Sequence, residues 1–164
     1  MSMCNVRVHE SDRGPVMLLL LTTSDRGYMM SQYGNVAIGV VKKFLTTSSK
    51  GNQLNPVIEW INEAKLHITS QSSREKTCPK NAFLGLCENG LVKGISPGKY
   101  VKSKENKKYA IEAVNILKNN PYYSTVSPQK LWEEVMNSLK LPITKTHNQQ
   151  MNIVLDLWKS NYIT

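Results

Sequence analysis

The sequence predicts a mainly α protein, a compact single-domain bundle of about six helices with a duplicated helical hairpin. Three observations carry this. From residue 31 onward apolar side chains recur three and four apart, the spacing that collects them on one face of a helix. The stretches so marked are punctuated by helix-starting pairs (Asn55-Pro56, Cys78-Pro79, Ser127-Pro128) and by stopping residues (Gly90, Pro121, Pro142). No segment alternates apolar and polar residues convincingly, so no strand is expected within the bundle.

With 164 residues and 40% hydrophobic content, the chain is long enough to bury one good core. Residues 1–30 differ from the rest and are expected to form a poorly ordered N-terminal extension, leaving 31–164 as the helical domain. The run His9 to Pro15 is polar and turn-rich, and Val16 to Leu21 is an isolated apolar run. A single strand there has no partner for its backbone, although an edge strand packed on the helices is the alternative. Six apolar residues are too few to span a bilayer and short for a signal-peptide core, and the small-residue cleavage pattern is missing after Arg7 and Arg13. No membrane association is expected, and the three cysteines, Cys4, Cys78 and Cys87, lack the pairing of a disulfide framework or a zinc site, which fits reduced thiols in the cytoplasm.

The first helix carries Tyr33, Ala37, Val40, Val41 and Phe44. A Ser/Thr/Gly/Asn loop follows over Thr46 to Gln53. Asn55 is placed to cap a second helix with Pro56 in its first turn and an apolar stripe of Val57, Ile58, Ile61, Ala64 and Ile68. Thr69 to Lys76 reads as a polar linker. Thr77 or Cys78 caps a third helix opened by Pro79, with Ala82, Phe83, Leu86 and Cys87 inward and Gly90 as its left-handed terminator, Leu91 folding back on Leu86. Leu91 to Ile95 reads as one more helical turn and Ser96-Pro97-Gly98 as a tight turn. Ser103 caps a helix carrying Tyr109, Ala113, Ile116 and Leu117, and Ser127-Pro128 opens one carrying Leu131, Trp132, Val135, Met136 and Leu139. Thr146 and Gln149 form a capping box for the last helix, with Met151, Val154, Leu155 and Trp158 inward.

Two parts of the chain resemble each other. Tyr33, Ala37, Val40, Val41 and Lys42 recur 76 positions later as Tyr109, Ala113, Ile116, Leu117 and Lys118, and Pro56 with Trp60 recurs as Pro128 with Trp132. A duplicated hairpin, YxxxAxxVV followed by PxxxW, leaves residues 77–102 as the unique insert between the halves.

The formal charge of +9 favours a polyanionic partner, and the stretch from Arg74 to Lys108 supplies +6 of it. Lys104, Lys107 and Lys108 crowd the start of the Ser103 helix, with Lys93, Lys99 and Lys102 before it. A helix dipole disfavours cations at that end, and the arrangement makes sense where an anion draws amides, the Ser103 hydroxyl and lysines together. Tyr100 is placed to stack on a base or to brace the loop. A solvated lysine-rich face is the plainer explanation. Cys78, at a helix start beside Lys76 and Lys80, is the candidate nucleophile, with His147 as candidate base and Asn148 and Gln150 beside it. Helix capping and a polar surface are the plainer explanation of His147 and Asn148. The adjacent carboxylates Glu133-Glu134 point to different sides of a helix, no metal-ligand spacing or phosphate-loop motif is present, and neither a metal nor a cofactor is expected.

Two motifs, CPxxAFLGLCExGLVxGI from Cys78 to Ile95 and HNxQMxxVxxLW from His147 to Trp158, together with Tyr100, Ser103 and Asn106-Lys107-x-Tyr109-Ala110, resemble a family of small bacterial proteins classified only as a domain of unknown function. The resemblance runs from about Ser31 to Ile163. It implies that the central stretch and the His147 helix act together as two walls of one pocket, and it names no reaction.

The leading functional expectation is a non-catalytic, basic helical protein that binds nucleic acid or a phosphorylated ligand. The alternatives are a cysteine/histidine enzyme with a cleft between helices, or a regulator that docks on an acidic protein partner.

Overall fold

A computed structural model of the chain describes residues 28–47 and 54–164. Most of the expected N-terminal extension, with Val16 to Leu21 and Cys4, and residues 48–53 of the expected loop lie outside the described residues. The described chain is all helical apart from one isolated bridge. It runs α1 (Gln32–Thr47), α2 (Pro56–His67), the single turn α3 (Gln71–Arg74), α4 (Thr77–Glu88), α5 (Lys104–Asn119), a 3-10 turn (Pro121–Ser124), α6 (Pro128–Ser138) and α7 (Gln150–Lys159). Six of these are packed together as the compact all-α bundle that the periodicity predicts.

Local capping chemistry explains most boundaries. The Asn55 side chain accepts the amides of Val57 and Ile58, Ser127 accepts that of Lys130, and proline opens each of those helices. After α4, Gly90 takes φ +70 and the Leu91 amide donates to the Leu86 carbonyl at 3.0 Å, which closes the helix in the expected left-handed way.

The last helix is the axis. Gln150, Met151, Ile153, Val154, Leu155, Asp156 and Leu157 are all buried, so α7 is enclosed on every side by α1, α4, α5 and α6. Asp156, 0% exposed, reaches the start of α1. It accepts the Ser31 amide at 3.2 Å, the Ser31 hydroxyl at 2.8 Å and the Tyr28 hydroxyl at 2.6 Å. Ser31 in turn caps α1 by accepting the Gly34 amide, and a side chain at Gly34 would collide with Asp156. Tyr28, on the extension side of the boundary drawn from the sequence, is therefore bonded to the domain, and its ring lies under Lys159 Nζ. Burial pushes the Asp156 carboxyl up and the Tyr28 phenol well above its ordinary value.

Several local expectations are corrected. In α2 the inward face is Trp60, Glu63 and Ala64, with Ile58 and Ile61 turned outward. Glu63 is tolerated there because Lys43 pairs with it at 2.8 Å and His67 at 3.3 Å, and the absence of a side chain at Gly39 leaves room for its carboxylate. The polar linker contains α3, capped by Ser70. α4 begins at Thr77, after Lys76, so neither Thr77 nor Cys78 caps it, and no side chain does. Residues 91–95 do not continue as helix. Val92 bridges antiparallel to Ile163, the Lys93 amide donates to the Tyr162 carbonyl, and the turn falls at Lys93-Gly94 with φ +78 at Gly94 rather than at Ser96-Pro97-Gly98. The capping box at Thr146 and Gln149 does not form. Gln149 takes φ 69, α7 starts at Gln150, and the Thr146 hydroxyl donates to Asn148 Oδ1. His147 thus precedes the helix instead of lying in its first turn.

Candidate functional site

The C-terminal end of α4 meets the first turns of α5 at close range. A Cβ at Gly85 would lie 2.8 Å from Lys107 Cα, so only glycine lets the two backbones approach this far. The contact sets Glu88 beside the loop that feeds α5. Its Oε2 accepts the amides of Tyr100 and Val101 at 2.7 and 3.0 Å, and its Oε1 accepts Lys107 Nζ at 2.7 Å. The Lys107 ammonium, then the two amides, hold the Glu88 carboxyl down to about 2.

In front of this clamp lies a groove of ≈ 540 Å³ lined by Lys102, Lys104, Lys107 and Lys108, with Val101, Ile111 and Leu139 as its apolar part and Glu88 and Glu112 as its carboxylates. Helical geometry places Lys104, Lys107, Lys108 and Ile111 on one face of α5, three and four apart. Ser103 occupies the N-cap position, yet its side chain caps no amide of α5. Instead its Oγ accepts Asn106 Nδ2 at 3.0 Å. The first-turn amides of a 16-residue helix therefore end among lysines without a side-chain cap.

The other predicted residues fall elsewhere. Lys93 donates to Asn161 Oδ1 at 2.9 Å beside the Val92–Ile163 bridge, away from the groove. Lys99 is exposed and does not line the groove. Tyr100 braces the loop: its hydroxyl donates to the Ser96 carbonyl at 2.8 Å and its ring packs over Gly98. Burial raises its phenol.

The two motif regions are brought together at the start of α7. Gln150, 3% exposed, donates through Nε2 to Asn106 Oδ1, which continues the chain Ser103–Asn106–Gln150 between α5 and α7. Cys78 and Pro79 share a second cavity, ≈ 520 Å³, with Asn148 and Gln149. These two residues adopt consecutive left-handed conformations, φ 43 and φ 69, which non-glycine residues seldom do. Gln150 does not line this cavity. The His147 Nδ1 atom is buried with no partner among the described residues, burial lowers the imidazole's affinity for a proton, and no hydrogen bond joins it to the half-buried Cys78 thiol. Cys87 is wholly buried, which pushes its thiol up and makes it a core residue.

Among the described residues no group of three His, Cys, Asp or Glu side chains is disposed to hold a metal ion, and no helix is long and apolar enough to cross a membrane. The sequence missed Glu88 as the organiser of the loop, Asn106 as the link to α7, and Ile111 and Leu139 as the groove's apolar part. Ile111 carried a signal, standing off the main α5 stripe and four residues after Lys107. Leu139 carried none, since its position follows from how α6 packs on α5.

No curated protein and no solved structure matches this chain. The model of a family of unknown function, DUF6979, matches residues 30–164, close to the span over which the two motifs resemble an uncharacterised family, and the chain belongs to that family.

Proposed function

We propose that this protein binds a phosphorylated small molecule in the groove at the head of α5. The observation that carries the reading is the combination at one place of uncapped α5 amides with Lys102, Lys104, Lys107 and Lys108. A phosphate group takes up charge-assisted bonds from such donors. Val101, Ile111 and Leu139 offer an apolar seat for the rest of the ligand, and the volume lies within the usual range for small-molecule sites. Lys107 is held in place by Glu88, while Lys102, Lys104 and Lys108 are exposed and able to close on a ligand.

Nucleic acid is the second reading, favoured by the overall charge of +9 and by the exposed Lys99 beyond the groove. Equilibrium dialysis against inorganic phosphate, nucleoside monophosphates and sugar phosphates separates the two when run beside electrophoretic shifts with DNA and RNA. Both belong at about 50 mM and about 200 mM salt. The expected result is binding of a phosphate ester but not of its dephosphorylated counterpart, weakened about tenfold by Lys104→Ala with Lys108→Ala. Binding of polynucleotide alone, steeply lost with salt, transfers the site to the second reading. No preference for the phosphorylated compound, with no shift of either nucleic acid, refutes both.

A further inference from the structure

The groove at the head of α5 is graded along the helix. Lys104 stands in the first turn, Lys107 and Lys108 follow one turn on, and Ile111 and Glu112 one turn beyond them. At about 1.5 Å of rise per residue, Glu112 lies about 12 Å along the axis from Lys104. Ser138, next to Leu139 where α6 ends, donates its hydroxyl to Glu112 Oε1. The groove thus runs from a cationic end, past Ile111 and Leu139, to a carboxylate.

The two carboxylates of the groove differ in how they are used. Glu88 is committed to its clamp, with Tyr100, Val101 and Lys107 already donating to it. Glu112 accepts Ser138 on Oε1 and Asn115 Nδ2 on Oε2 at 3.4 Å, which leaves each oxygen a free lone pair. None of the described cations lies within ion-pair distance of it, although Lys108 precedes it by one turn. Glu112 is half-buried, so its charge is partly withdrawn from water with no cation to offset the loss, yet it is reachable from the groove. A ligand that brings N–H donors to this end supplies the missing partner.

We propose that the ligand of this groove is a guanine nucleoside monophosphate and that Glu112 selects its base, an assignment that rests on the phosphate-binding reading above. Guanine presents a ring N–H and an exocyclic amine side by side, and a carboxylate with a lone pair free on each oxygen accepts both. Adenine and cytosine set a ring-nitrogen acceptor beside the amine, where it faces the carboxylate unfavourably. Hypoxanthine keeps the ring N–H and lacks the amine. The flat base packs on Ile111, Leu139 and Val101, and the phosphate lies among Lys102, Lys104 and Lys108. The separation of the two ends suits a nucleoside monophosphate, whose phosphate and base edge lie at opposite ends of the molecule.

Calorimetric titration of the full chain at about 50 mM salt, with guanosine, inosine, adenosine and cytidine monophosphates and with ribose phosphate, tests the assignment. Guanosine monophosphate is expected to bind about tenfold more tightly than inosine monophosphate, the scale of one charge-assisted hydrogen bond. Glu112→Gln is expected to bring these two within about twofold of each other while ribose phosphate binds no more weakly, because a glutamine keeps one acceptor and loses the charge. A purely structural role for Glu112 would instead weaken all the esters alike. Lys104→Ala with Lys108→Ala is expected to weaken every ester and to keep the preference for guanine. If Glu112→Gln does not fold, the comparison of nucleotides on the unaltered chain decides alone. Ribose phosphate bound, with guanosine monophosphate no tighter than the inosine or adenosine compound, overturns the guanine assignment and leaves the phosphate-binding reading standing. Binding of none of the phosphate esters overturns both.

Discussion

Replacing Glu88 by glutamine tests the clamp that seats the loop before α5. Both carboxylate oxygens are in use, Oε2 by the amides of Tyr100 and Val101 and Oε1 by Lys107. A glutamine keeps one acceptor and turns an NH₂ group towards donors, so at least one of the three loses its partner. The fall of the Glu88 carboxyl from 4.5 to about 2 is worth about 3 kcal/mol at about 1.36 kcal/mol per pKa unit. The side chain is 17% exposed, and solvent screening reduces the figure to about 2 kcal/mol. Because the folded-state value lies below the unfolded one, this stabilisation is complete above about pH 4.5 and is lost as pH falls towards about 2. Chemical denaturation of both proteins at about pH 7, about pH 5 and about pH 3 reads the difference, since every other carboxylate titrates in both. The expected gap is about 2 kcal/mol near neutrality, shrinking to less than about half of that by about pH 3, with equal denaturant slopes. A gap under about 0.5 kcal/mol at neutral pH, or one that does not shrink on acidification, refutes the clamp.

Two further substitutions probe the packing. Gly85→Ala gains about 1 kcal/mol of helix propensity but sets a methyl against the Lys107 backbone, and the forced separation of α4 and α5 costs about 1–3 kcal/mol. A lower melting temperature by circular dichroism is therefore expected, and a rise would show that the helices part freely. Asp156→Asn leaves the Ser31 and Tyr28 donors competing for one oxygen. It is expected to cost about 2–4 kcal/mol and to remove hydrogen-exchange protection selectively from the first turn of α1, whereas a uniform loss along α1 would place the cap elsewhere.

The sequence revealed the elements whose causes are local. Asn55, Ser127 and Gly90 each act within three residues of their own position, so the chain alone discloses them. The start of α7 did not follow from its letters, because Gln149 adopts a left-handed conformation that its residue type seldom chooses. Counting apolar letters misplaced the inward face of α2, since Glu63 is made tolerable by Lys43, 20 positions earlier, and by the missing side chain of Gly39. The site divides in the same way. Four of the six lysines named from local crowding line one groove, while Lys93 is drawn off by Asn161, 68 residues away, and Lys99 stays outside.

The position of α7 also constrains how the protein can be made. The helix that every other major layer leans on, apart from α2, is synthesised after all the other described helices, and the start of α1 must find Asp156 across 125 residues. A growing chain on the ribosome can form the α1–α2 hairpin by local contacts, but its apolar faces have no axis to close upon until α7 has emerged. Final assembly therefore waits for α7 to leave the ribosome. Until then the exposed faces of α1, α4 and α5 are the segments on which a nascent-chain chaperone would act.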